Sequence, residues 1–191
     1  MKIKRNVLIC AALLLAAFWL NLRWFYVHLT PEAAFRDYFL GLWGRTPTVL
    51  GTYDGDGTRF YFVQDNRSNW ENGDFAAVYW ANQAGPFWRS GSAITYNEVS
   101  VPRRGMEANA FQDFACAFRC DPDVDRISLR VDYQDGRPSL SLPTPEPYGK
   151  LYFWYLPDHS IGEGLYYPRG DYKLVFTAYD KSGRVLDLWE R

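Results

Sequence analysis

Histidine is nearly missing from this chain of 191 residues: only His28 and His159 are present, beside three cysteines and two methionines. So few thiols and imidazoles exclude a disulfide-framework scaffold and leave too few ligands for a zinc site. Positive charge is also short. Four of the 21 basic residues (Lys2, Lys4, Arg5, Arg23) fall before residue 30, so the remainder carries 17 against 22 acids. That balance excludes a nucleic-acid binder, which needs a basic face. Apolar runs are short except for one near the N-terminus, which excludes a polytopic membrane protein. The G-x-S-x-G elbow, the phosphate loop, H-E-x-x-H and S-x-x-K are all absent. The reading is of a non-enzyme that takes no metal and no cofactor.

What the sequence does hold is apolar and aromatic: 48% of residues are hydrophobic, with 8 Trp, 14 Tyr and 13 Phe. That is enough to build a core, and it excludes a disordered polymer. Residues 7–22 (VLICAALLLAAFWLNL) form a 16-residue stretch whose one strongly polar member is Asn21. A spanning helix needs about 20 residues, so the stretch is adequate only if it extends to residue 25 and Arg23 snorkels. Trp19, Trp24 and Tyr26 suit one bilayer surface, and Lys2, Lys4 and Arg5 place the N-terminus in the cytoplasm. A cleaved signal would want small residues before the cut, which pairs such as Leu15 with Ala17 do not supply. The expectation is a single-pass cell-membrane protein. Residues 1–29 are read as its cytoplasmic tip and signal anchor, and 30–191 as one extracytoplasmic β-rich domain.

Thr30-Pro31-Glu32 is a helix start, with Thr as N-cap, Pro at the first helical position and an acid in the first turn. Ala34, Phe35, Tyr38, Phe39 and Leu42 follow at helical spacing, and Gly44 can close a helix over 31–43. Beyond it the texture is of strands and turns. Thr48–Tyr53, the turn Asp54–Gly57 and Thr58–Gln64 read as a hairpin. Phe75–Ala81, Phe87–Arg89, Ala93–Val99, Ile127–Tyr133, Leu151–Leu156, Tyr172–Tyr179 and Val185–Trp189 add further strands. With no long helical pattern between them, the fold class is α+β: an N-terminal transmembrane helix, one short amphipathic helix, then a mainly antiparallel sheet.

Several residues invite chemistry. His159 sits alone beside Asp158 in a loop with no nucleophile to pair with. Asp121, Asp123 and Asp125 have calcium-loop spacing, but Arg126 stands where such a loop turns on glycine, so an acidic turn entering a strand is the better account. Arg169-Gly170-Asp171 spells an adhesion tripeptide and equally good turn chemistry. Cys116 and Cys120 could form a disulfide only across a bend. Four residues of extended strand separate Cα atoms by about 13 Å, against a bridging limit of roughly 7 Å. Trp80 and Trp88 are the candidate ligand-binding aromatics: an exposed pair could stack on a glycan, while core and cross-strand packing would also use them.

The basic start and apolar run, Thr30-Pro31-Glu32-Ala33-Ala34, Asp123-Val124-Asp125-Arg126-Ile127, and Ala178-Tyr179-Asp180-Lys181-Ser182-Gly183-Arg184-Val185 together resemble small single-span extracytoplasmic proteins of Gram-positive bacteria whose domains have no assigned function. That resemblance implies location and fold, and it carries no catalytic residues over. The expected function is therefore a membrane-tethered binding or interaction module for a protein, peptide or envelope polymer. The alternatives are a hydrolase or transferase acting on envelope glycans, and a structural subunit of a membrane assembly.

Overall fold

The computed structural model describes residues 2–24, 27–65, 75–97, 105–111, 114–156 and 172–190. Helix α1 (Lys2–Trp24) leads into the two-residue strand β1 (Val27–His28) and helix α2 (Pro31–Trp43). Ten of the following strands then form hairpins and crossovers: β2 (Thr48–Gly55), β3 (Thr58–Asp65), β4 (Phe75–Ala84), β5 (Phe87–Asn97), β6 (Met106–Ala110), β7 (Phe114–Arg119), β8 (Arg126–Tyr133), β9 (Leu140–Leu142), β10 (Leu151–Tyr155) and β11 (Tyr172–Tyr179). Strand β12 (Val185–Glu190) completes the set. Every pairing among the described residues is antiparallel, and those residues are mostly antiparallel β-sheet with two helices.

Capping sets the bounds of α2. Thr30 has extended backbone angles, and its hydroxyl oxygen accepts the Ala33 N–H at 3.1 Å. Pro31 costs nothing at the first helical position, whose N–H would lack a partner anyway. Gly44 closes the helix in the left-handed region, donating its N–H to the Leu40 carbonyl.

The strands make three sheets: β1-β5-β4-β3-β2, then β10-β7-β6, then β12-β11-β8-β9. Side-chain alternation stacks them. In the first sheet, Tyr61, Val63, Tyr79 and Ala81 take Phe35 and Phe39 of α2 on one face. The opposite face offers Phe60, Phe62 and Val78 to Phe114, Cys116, Phe118 and Phe153 of the second sheet. That sheet turns Ala115, Ala117, Tyr152 and Trp154 the other way, onto Ile127, Leu129, Leu174 and Phe176 of the third. The middle sheet is thus buried on both faces, which is why β7 and β10 read as unbroken apolar runs and lack polar alternation. The runs Leu151–Leu156 and Tyr172–Tyr179 both lie in the core, but in different sheets that pack face to face.

Turns follow side-chain hydrogen bonds. Asp180 accepts from the Ser182 N–H, the Ser182 hydroxyl and the Arg184 N–H, at 2.9, 2.6 and 3.0 Å. Those bonds, the Ser182 hydroxyl foremost, pull its carboxyl down to about 2. The Asp121–Asp125 segment is built the same way: Asp121 accepts the Asp123 N–H at 2.8 Å, and the Asp125 N–H reaches the Tyr179 carbonyl. Among the described residues no group of acids, cysteines or histidines is placed to hold a metal.

The expected transmembrane anchor is corrected here. Among the described residues no helix is long and apolar enough to cross a membrane. The uninterrupted apolar run of α1 lies between Asn6 and Asn21, and at 1.5 Å per residue it rises only about 21 Å, against roughly 30 Å of hydrocarbon. The single-pass localisation and the signal-anchor reading lose their basis with it. The first 29 residues also take part in the β-fold, because Val27 and His28 pair with Arg89 and Trp88 of β5.

Candidate functional site

A cleft of about 380 Å³ opens where β1 meets the first two turns of α2, lined by His28, Thr30, Glu32, Arg36, Asp37 and Leu40 among others. Helical spacing puts Arg36 and Leu40 on one stripe of α2, with Asp37 beside them. Strand β1 supplies His28 from the facing side. Its Nε2 stands 3.7 Å from Asp37 Oδ2, is closed from solvent, and has no hydrogen-bond partner among the described residues. Arg36 makes no ion pair among the described residues.

The cleft is fixed at one end by Arg59. Its Nε and second guanidinium nitrogen bind Asp54 at 2.5 and 2.8 Å, and its third nitrogen binds Glu32 at 2.7 Å. The Tyr61 hydroxyl also donates to Glu32, at 3.3 Å. The Arg59 hydrogen bond holds the Asp54 carboxyl below its usual range. For Glu32 burial pushes upward, but backbone and Arg59 hydrogen bonds together carry it below. Both carboxylates are committed to tying α2 onto the β2–β3 hairpin. They are not poised for proton transfer.

The two sequence candidates for stacking do not meet. Trp80 faces the second sheet, with ring centroids 5.8 Å from Phe111 and 5.3 Å from Phe114. Trp88 packs against the cluster under α2, on the opposite face of the same sheet. A single platform from this pair is therefore ruled out by strand parity. Cys116 and Cys120 are not bonded to each other, because β7 runs extended through Cys116 with no bend to bring the sulfurs together. Cys116 is fully buried, which pushes its thiol well up. His159, the adhesion-like tripeptide 169–171, Trp70, Tyr166 and Tyr167 lie outside the described residues.

Sequence reasoning missed the tyrosines at the free edge of the first sheet. Tyr53 of β2 is 38% exposed, with its ring 5.1 Å from Tyr155 and 5.6 Å from Phe153. Tyr148 stacks on Phe62 at 4.1 Å. The phenol of Tyr53 is raised by partial burial and then by Tyr155, Asp56 and Tyr148, which places all three neighbours within electrostatic reach. The signal was present in Gly51-Thr52-Tyr53-Asp54-Gly55, since glycines at alternate strand positions mark a close approach from above.

A second surface is larger. Nine big apolar side chains of α1, from Val7 to Leu20, are 51–72% exposed, and they lie on all sides of the helix. Leu29, Leu40 and Leu42 are exposed as well, at 67%, 46% and 61%. Phe18 touches the rest of the chain, 6.4 Å from Phe87. Comparison with known protein families, curated proteins and solved structures finds no match for this chain.

Proposed function

We propose that this chain is a non-catalytic interaction module that engages its partner through the N-terminal helical end. The observation that carries the reading is the uncovered apolar surface of α1. It comes to on the order of 1,000 Å², where monomers tolerate a few hundred and a standard interface buries about 800 Å² per partner. A helix apolar on every side is stable in water only when something encloses it. The layered domain supplies a rigid base for it, since α2 is pinned through Phe35, Phe39 and the Arg59 ion pairs.

The test compares the full chain with a triple variant, Leu8→Gln, Leu14→Gln and Leu15→Gln. The unaltered chain is expected to sediment as species larger than its 22.2 kDa monomer and to bind an apolar dye. The variant is expected to be monomeric, with dye binding reduced severalfold and an unchanged circular dichroism spectrum. A wild-type chain that is monomeric and as dye-silent as the variant would overturn the reading.

A further inference from the structure

Strand β2 directs Gly51, Tyr53 and Gly55 to the same side, and the glycines admit two further rings. A Cβ at residue 51 would lie 2.4 Å from a Tyr148 ring carbon, and one at residue 55 would lie 2.5 Å from Tyr155. The Tyr148 ring and the phenol end of Tyr155 therefore close on the strand, one on either side of Tyr53. Gly51 to Gly55 spans about 13 Å at the rise of an extended strand, so three phenols form a row at the sheet edge.

The polar fringe of the row narrows what it suits. Tyr155 accepts the Asp56 N–H at 2.8 Å and retains its own proton to donate. The Tyr53 and Tyr148 hydroxyls make no hydrogen bond among the described residues, and the exposed Asp56 carboxylate lies within electrostatic reach of Tyr53. The nearby cation, Arg59, is already held by Asp54 and Glu32. The row thus offers partly exposed aromatic rings, hydroxyls that both donate and accept, and an exposed acid, and among the described residues the guanidinium of Arg59 is already engaged. Anionic ligands are disfavoured. A proline-rich segment would present apolar rings but few N–H groups to satisfy Asp56.

We propose that the Tyr148–Tyr53–Tyr155 row binds a neutral oligosaccharide, with sugar rings stacked on the phenols and sugar hydroxyls exchanging hydrogen bonds with the phenol tips and Asp56. This site goes beyond the docking role of α1 and does not depend on it, so the α1 triple variant should bind sugar like the unaltered chain.

The experiment titrates the full chain by calorimetry with cellohexaose, xylohexaose, chitohexaose and, for comparison, decaproline. At least one hexasaccharide is expected to bind, with its disaccharide about tenfold weaker for covering only part of the row. Tyr53→Ala should weaken binding by about tenfold and Tyr53→Phe far less, as loss of one stacked ring predicts. Asp56→Asn, at an exposed position that spares the fold, should weaken it by about threefold through the loss of the charge and of one of its two acceptor oxygens. Leu188→Ser, on the third sheet, should change nothing. Absence of binding by all three hexasaccharides, binding indifferent to both Tyr53→Ala and Asp56→Asn, or preference for decaproline would each overturn the proposal.

Discussion

Phe176→Ala is expected to destabilise the domain by about 4 kcal/mol, and Trp154→Ala by a similar amount, as large-to-small changes in a packed core do. Phe176 is fully buried and Trp154 is 5% exposed. Their rings meet edge to face at 5.7 Å across the gap between the second and third sheets. Phe176 also meets Trp189 at 5.2 Å, so its loss opens a cavity bordered by two indoles that cannot collapse far. The Trp154 indole N–H donates to the Pro143 carbonyl at 3.0 Å, and truncation leaves that carbonyl to find water. Because the rings touch, the double variant should cost less than the sum by about 0.5–1.5 kcal/mol, the worth of one aromatic pair. Urea titration of the three variants measures all of this. A loss below about 1 kcal/mol for both single changes would contradict the assigned core.

Ala117→Asp is expected to have the largest effect of any single change proposed for this chain. The third sheet meets the second across a face with Ala108, Ala110, Ala115 and Ala117, each at most 4% exposed. Small side chains there let Ile127, Leu129 and Phe176 fill the space between sheets. A carboxylate at residue 117 would sit in the sandwiched layer, and an unpaired charge buried there costs at least about 3–5 kcal/mol, much of the stability of an ordinary domain. The variant should be insoluble or lack a cooperative urea transition. Ala117→Ser, which adds only a hydroxyl able to bond within its strand, should retain a transition shifted by about 1–2 kcal/mol. An Ala117→Asp protein as stable as the wild type would show that the middle sheet is not enclosed.

Much of the local structure was legible because it rests on short-range chemistry. Thr30-Pro31-Glu32 and Gly44 bound α2 at the expected residues, 31–43, and the first hairpin forms where expected, its turn tightened to Asp56-Gly57 because Asp54 and Gly55 pair within the sheet. The antiparallel, β-rich texture agrees with the strands observed. What sequence could not convey was the division into three sheets. Runs such as Leu151–Leu156 and Phe114–Phe118 are apolar at every position, and a run with no alternation gives no sign of which face meets which neighbour. The number of layers stayed hidden for that reason.

The site was read less well than the fold. Indoles drew attention to Trp80 and Trp88, but strand parity sends them to opposite faces, since Trp88 pairs with Gln83 of β4. The exposed ring of Tyr53 is made accessible by glycines, which carry no side chain to attract notice. The apolar N-terminal run was legible as a helix, and its reading as a membrane span failed on length between Asn6 and Asn21. Residue spacing also gave no hint that Glu32 and Asp54 would both be taken by one arginine.

The account rests on a middle sheet enclosed by two others, with α1 standing outside that stack. Amide hydrogen exchange of the full chain tests both parts at once. Amides of β7 and β10 should be the slowest in the molecule, opening only with global unfolding, while those between Val7 and Leu20 should exchange far faster in the monomeric Leu8→Gln, Leu14→Gln, Leu15→Gln variant because the large apolar side chains of that stretch stand more than half exposed. Equal protection of α1 and β7 in the monomer, or exchange of β7 and β10 as fast as that of the edge strands β2 and β9, would contradict it.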